Sequence, residues 1–483
     1  MIETSKLRQK IAGLRGRFEE QLAAFVEIPT VSMDPARRPE MDACAALASE
    51  ALRSIGARVD VIDTGGFPLI VGRIERDPSF PTVTIYNHLD VQPADGPEWR
   101  SAPFKLTRDD SGKVLRWFGR GTTDDKGPAL TALYGAQLAL EEDAGVNVQF
   151  LWELEEEIGS PNFERGLAAA IAGGGGRAPF RTDSVVVSDT IWIAAGRPAI
   201  AYGLRGLMGF TVSLKTGAKD VHSGTTGGAA RNPVAELADV VASCVDARTG
   251  KVKIPGFYDD VRKLSAAEKK AFARAGFSRK TFKAAHELSS LRPHADDLAA
   301  MESIMARPTF EVHGIVGGYA GPGIKTIVPH RAEAKLSTRL VPDQRPAKIF
   351  ELVKRYIKKQ LPDAEITREG SLEPYLAPID VPENAMAAEA MRETFGRDPA
   401  FTREGGSIGA VLTMRRLLGA PVTFMGLSLP EHGYHAVNEN YDWGQAAGGM
   451  EMFRRYFHKI AAAGGAPGKP VARAGNKARE RRG

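Results

Sequence analysis

The sequence predicts an α/β chain of two domains, one interrupted by the other. Three observations carry that expectation. A length of 483 residues exceeds what one hydrophobic core ordinarily serves. Helical and strand signals alternate through residues 1–203, the pattern of an open sheet flanked by helices. The character changes near 202–206 and helix-plus-strand signals return at 382–395. The simplest division is a discontinuous, mixed-sheet domain, 1–203 plus 377–463, around an inserted α+β domain at 204–376. Hydrophobic content of 43% and charged content of 25% are those of a globular chain, and no internal repeat is present.

Taken in order, Leu7, Ile11, Leu14 and Phe18 recur at helical spacing and predict a charged amphipathic helix over 1–20. Residues 82–86 form a short apolar strand that ends at His88. A helix over 128–142 opens just after the turn Asp124-Asp125-Lys126-Gly127. The strand 146–153 runs straight into Glu155-Glu156-Glu157, and the strand 184–188 ends at Asp189. The glycine run 173–176 is expected to be a flexible surface loop. In the inserted domain, 210–215 and 331–340 are strands and 264–306 is a charged helical stretch. The segment 421–427 leads to His435. Three of the acid or imidazole positions thus fall at or just past strand C-terminal ends, where open α/β sheets place their sites.

Charge and cysteine content exclude several roles. The net charge is +5, but 464–483 alone holds Lys469, Arg473, Lys477, Arg479, Arg481 and Arg482 against Glu480, so the remainder is near neutral. That tail lacks periodic apolar residues and is expected to be disordered. The core carries no phosphate-binding motif, so neither nucleic acid nor a membrane is an expected partner. Cys44 and Cys244 lie far apart without a CxxC pair and predict buried thiols in a reducing compartment. No apolar run is long enough for a signal peptide or membrane span, so the expected location is the cytoplasm.

Five metal-ligand residue types occur in fixed order, each in its own short motif: His88, Asp124, Glu157, Asp189 and His435. In His88-Leu89-Asp90, positions i and i+2 of an extended segment point the same way. Asp90 is therefore expected to accept a hydrogen bond from the non-ligating ring nitrogen of His88 and fix its tautomer. Gly119-Arg120-Gly121 lets the backbone close around Asp124-Asp125, and a turn Asp can use both oxygens to bridge two cations. The motif lacks the GK[ST] of a phosphate loop. Three adjacent carboxylates at the end of an apolar strand repel one another unless a cation is near. One of them can ligate metal while a neighbour takes a proton from water. His435 is chosen over His432, three residues earlier; His222, in a polar stretch of the inserted domain, reads by itself as a turn residue.

Together these motifs resemble the zinc-dependent aminoacylase, glutamate carboxypeptidase and dipeptidase family, closest to its cytosolic nonspecific dipeptidase (carnosinase-like) branch. The resemblance runs from about residue 10 to 460. It also rests on Ser188-Asp189-Thr190-Ile191-Trp192, Tyr202-Gly203-Leu204-Arg205-Gly206, His222-Ser223-Gly224-Thr225, Arg339-Leu340-Val341-Pro342 and Arg403-Glu404-Gly405-Gly406-Ser407-Ile408. It implies a two-domain metallopeptidase: a catalytic domain holding two Zn²⁺ per subunit, and a lid that also forms a homodimer. Asp124 would bridge both metals, with His88 and Asp189 completing one site and Glu157 and His435 the other. Mn²⁺ or Co²⁺ fit the same nitrogen and oxygen ligands. Glu156 would be the general base for a metal-bridging hydroxide. A cis peptide after Asp124 is also implied. His222 would reach the partner subunit's active site to stabilise the oxyanion, and Arg339 with the Gly406-Ser407 turn would hold the substrate's terminal carboxylate. Two Zn²⁺ balance three carboxylates and one hydroxide, so such a site is neutral overall.

The implied reaction is cleavage of a dipeptide or similar small amide bearing a C-terminal carboxylate. An N-acyl-amino-acid deacylase or a carboxypeptidase of the same family is the alternative, and a non-catalytic binding protein on this fold a remote one. Gly370-Ser371-Leu372-Glu373-Pro374-Tyr375 lacks the His that carnosinase-like members tend to carry before a Pro-aromatic pair, which weighs against carnosine itself. Gly405-Gly406-Ser407-Ile408-Gly409 matches a nucleophile elbow, but 397–404 is too polar for a central strand, so a serine hydrolase is disfavoured.

Overall fold

The structure is a computed structural model that describes residues 4–173 and 179–464. Most of the 173–176 glycine run and nearly all of the basic tail lie outside the described residues.

A six-stranded sheet organises the first half. Its order is Arg58–Ile62, Leu69–Ile74, Asn147–Glu153, Thr82–His88, Ser184–Val187 and Val422–Phe424. The last four run parallel and the first two antiparallel, so the sheet is mixed. Every residue of Asn147–Glu153 and of Ser184–Val187 is buried, as a strand covered on both faces requires. Alternate side chains feed two cores. Val83, Ile85, Phe150, Trp152 and Val186 join the cluster under the helices Arg38–Ser54, Lys126–Glu141 and Trp443–Ala462. Tyr86, Leu151, Val185 and Val187 join the opposite one, under Phe163–Ala172 and Gly409–Leu418. Period-2 alternation thus builds helix layers on both faces. Register decides where the parallel strands end. His88 pairs with Glu153 and Tyr86 with Val187, so the chain leaves all three strands at one edge.

The second sheet is antiparallel, in the order Thr309–Gly317, Arg331–Leu340, Gly206–Lys215, Glu365–Leu372. Met208, Phe210, Val212 and Leu214 alternate into a core with the helices Pro233–Cys244 and Pro346–Gln360. Among the described residues, the buried members of that core lie between Met208 and Ala364. Leu207, Gly209, Thr211, Lys335, Ser337 and Arg339 point the other way, into a cavity.

Two sequence expectations need correction. The 1–20 helix is two helices, Thr4–Gly13 and Arg15–Val26, broken at Leu14; Leu7, Ile11 and Phe18 are still buried. The 264–306 stretch forms the helices Ala266–Arg274, Arg279–Ala285 and Asp297–Met305. They do not join the core of the second sheet: Phe272, Ala275, Met301 and Ala306 pack on Ala199, Tyr202 and Ala400. Polar 397–404 is indeed no central strand: Ala400–Glu404 lies at the edge of a sheet with Ala199–Leu204 and Tyr375–Leu376. Its Arg403 is buried because Glu268 meets its Nε at 3.1 Å. Removing one partner of such a pair costs about 3–5 kcal/mol. Cys44 and Cys244 are free and buried. Among the described residues, no helix is long and apolar enough to cross a membrane.

Candidate metal centre

Five side chains from five separate segments meet at the carboxyl edge of the six-stranded sheet. His88 ends its strand, and Asp189 follows two residues after Val187. Glu157 sits in the one-turn helix Glu156–Ile158 after Glu153. Asp124 precedes the helix Lys126–Glu141, and its peptide to Asp125 is cis. His435 stands in a loop with φ +56°, a left-handed conformation rare for histidine. His88 Nε2 lies 3.0 Å from Asp124 Oδ1 and 3.8 Å from Asp189 Oδ2. His435 Nε2 lies 3.0 Å from Asp124 Oδ2 and 3.2 Å from Glu157 Oε2. The result is two ligand groups, His88–Asp124–Asp189 and Asp124–Glu157–His435, sharing one carboxylate whose two oxygens face different imidazoles.

The set suits hard-to-borderline divalent cations: imidazole nitrogen and carboxylate oxygen, with no thiolate. Asp124 Oδ2 is buried and lies 3.0 Å from His435 Nε2.

Electrostatics point the same way. Burial, and then Asp124 nearby, push Asp189 up to about 7. Burial raises Glu157 and lifts Glu156 well above the carboxylate range, with Asp189, Glu157 and Asp90 adding to Glu156. Burial opposes charge on His435, yet Asp124 and Glu157 outweigh it and pull the imidazole up to about 11. His88 is raised in the same way against its burial, by Asp124 and Asp90. Without cations the cluster therefore retains protons that cations would displace.

Asp90 acts differently from expectation. The ring Nδ1 of His88 is 3.1 Å from Asp90's backbone carbonyl and 3.4 Å from its carboxylate. The carboxylate instead accepts from the backbone N–H groups of Glu156 (3.1 Å) and Glu157 (3.0 Å), fixing the turn that presents both acids. Several supporting residues escaped sequence reasoning. Glu439 accepts from the backbone N–H groups of Gly121, Thr123 and Asp124 and from Arg120 Nη1, all at 2.9–3.1 Å. Tyr434 donates to Asp189 (2.8 Å) and Gln92 to Glu157 (2.7 Å). The only sequence signal was position: Glu439 and Tyr434 flank His435. His432 is buried between Thr123 and Asp442, a structural role.

At the other end, Arg339 Nη1 donates to Ser407 Oγ at 3.0 Å, and Ser407 donates to the carbonyl of Arg205. Burial lowers the pKa of Arg339, and Glu156 partly restores it, which puts this guanidinium within electrostatic reach of the candidate ligand cluster. A strand–turn–helix frame does surround Ser407, but its hydroxyl meets a guanidinium and a carbonyl, not a base. Gly406 accepts a backbone bond from Arg205 (3.0 Å). His222 is not brought to the cluster. It is exposed on the two-residue strand Val221–His222, and its Nδ1 accepts from Gly224 N at 2.8 Å.

Comparison with known proteins gives a consistent picture. A sequence profile described as peptidase family M20/M25/M40 matches residues 84–459. The Cys-Gly metallodipeptidase of Schizosaccharomyces pombe is 30% identical over 479 residues, spanning 94% of this chain and 98% of the relative. Human carnosine dipeptidase 1 superposes with a TM-score of 0.82 at 30% identity, over 95% of this chain and 99% of its own. An M20 family metallo-carboxypeptidase from Sulfolobus solfataricus gives 0.81 at 30% identity, over 91% and 98%.

Proposed function

The chain belongs to peptidase family M20/M25/M40 and is a metallopeptidase, and from that premise we propose that it is a two-metal dipeptidase. One observation carries the proposal: a buried carboxylate, Asp124, shared by two His-containing ligand groups. His88 and Asp189 would hold one cation and Glu157 and His435 the other, with zinc the expected metal and manganese or cobalt compatible. When bound, such a pair supplies an acidified water and a polarised scissile carbonyl.

The chain's own residues do the rest. Glu156, presented beside Glu157 in the turn after Glu153, would take the proton of the attacking water once cations have displaced its own, and return it to the leaving amine. Asp90 holds Glu156 and Glu157 in register through their backbone N–H groups. Arg339 and the Gly406-Ser407 turn take the substrate's terminal carboxylate. His222 donates to the oxyanion in the active site of a second copy of the chain. Its exposure supports that role, as do the exposed apolar residues Val312, Val316 and Ile324 of the same inserted region, which a second copy would cover. The domain division at 203/204 and 376/377 accords with these roles: a catalytic part at 1–203 and 377–463, and a lid that dimerises at 204–376. A cytoplasmic location fits the two free thiols.

The test is hydrolysis of a mixed library of dipeptides and N-acyl amino acids by metal-stripped protein, before and after zinc or manganese is returned. Metal-restored cleavage of free dipeptides is the expected result. Cleavage confined to acyl amino acids would move the protein to the deacylases. Release of C-terminal residues from longer peptides would favour a carboxypeptidase, a reading lent weight by the Sulfolobus structure.

A further inference from the structure

Arg205 belongs to neither ligand group, and the Arg339–Ser407 contact uses only its carbonyl. It stands between the strands Ala199–Leu204 and Gly206–Lys215, where the chain passes from one sheet to the next. Three of its atoms grip the 405–407 turn. Its backbone N–H donates to Gly406 O at 3.0 Å, Nε donates to Gly405 O at 2.7 Å, and its carbonyl accepts from Ser407 Oγ. Its Nη1 does nothing of the kind: it is buried and has no hydrogen-bond partner. A buried guanidinium N–H without an acceptor costs free energy that an arriving acceptor recovers.

The surroundings specify that acceptor. Arg205 and Arg339 line the same cavity of about 750 Å³, with Thr309, Glu311 and Ser337. Burial lowers Arg205 to about 10, and the like charge of Arg339 adds to the effect. Glu404, which with Glu311 offsets part of that lowering, spends its carboxylate on backbone N–H groups, Gly405 at 2.8 Å and Ile191 at 3.5 Å. Two guanidiniums, one with a free N–H, match a small anion with two oxygens. Glu311, Glu333 and Glu369 in the same lining disfavour a multiply charged one.

We infer that Arg205 is a second carboxylate-binding residue: its Nη1 donates to one oxygen of the substrate's terminal carboxylate while Arg339 takes the other. This rests on the dipeptidase reading and adds to it a residue that recognises the free C-terminus. The test compares a dipeptide with its C-terminal amide in the wild type and in Arg205→Lys, which keeps the charge and loses the fork. In the variant, KM for the free acid should rise about ten- to hundredfold, the worth of a charged hydrogen bond, and the preference for acid over amide should fall by the same factor. Equal loss on acid and amide, with a lowered melting temperature, would reduce Arg205 to a clamp of the turn and overturn the inference. Undiminished discrimination in the variant would overturn it too and leave the dipeptidase reading standing. A wild type that treats acid and amide alike would remove the carboxylate site altogether, Arg339 included. Should the variant not fold, a crystal structure of the wild type with a product amino acid decides. Arg205 Nη1 within hydrogen-bond distance of the carboxylate supports the inference, and a carboxylate held by Arg339 alone contradicts it.

Discussion

The carboxyl edge of the six-stranded sheet and the open face of the four-stranded sheet are finished to different degrees. At the first, candidate ligands come already held: Asp124 by the loop that Glu439 ties down, Asp189 by Tyr434, Glu157 by Gln92 and Asp90. At the second, Arg205 keeps an unused N–H and Arg339 faces a cavity; on a separate two-stranded sheet of the same inserted region, His222 is exposed with its ring accepting from Gly224 N. Metal ions need ligands fixed before they arrive, because ordering several acids around a cation costs entropy and repulsion. A substrate can complete its own site. On the proposed two-metal function, chemistry would fall to the first region and recognition, with the help of a second copy, to the other.

The hardest way to break that contrast is to remove the shared carboxylate. Asp124→Ala should lose both ions and bring turnover below detection, measured as metal content and kcat. A variant retaining two ions would deny that Asp124 bridges. Glu156→Gln should keep both ions and lower kcat by about a hundred- to ten-thousandfold; full activity would remove Glu156 as the base. His222→Ala should cost roughly a hundred- to thousandfold in kcat, the worth of an oxyanion donor, with metal content unchanged. Mixing it with Glu156→Gln protein should recover activity if each subunit serves the other's site, and silence in the mixture would place His222 elsewhere.

The smallest effect sharpens the electrostatics. In metal-free protein Asp189 keeps its proton up to about 7 against an ordinary 3.8, and His435 up to about 11 against 6.5. The folded chain then binds more protons than the unfolded one, so the stability these groups contribute falls as pH rises from about 4 to about 11. Added zinc should therefore raise Tm more at pH 8 than at pH 5. An equal rise at both would mean that these protons do not stand in for a cation.

Much of this was legible in the sequence because the five candidate ligands each sit in a short motif, three of them at strand ends, where local pattern and site coincide. The family followed from the same motifs. What the sequence hid was contact across long separations. Glu439 serves a loop more than three hundred residues away, and a separation of 200 residues hid how Arg205 meets Gly405. The polarity of Ala400–Glu404 rightly excluded a central strand but did not reveal that its buried charge, Arg403, is answered by Glu268 from an inserted helix. The break at Leu14 left the apolar spacing undisturbed, so periodicity alone could not find it.

The central claim is that two cations share Asp124. Titrating metal-stripped protein with zinc while following bound metal and dipeptide cleavage tests it most directly. The account predicts two equivalents per chain, with full activity only once the second is bound. Full activity at one equivalent would contradict it.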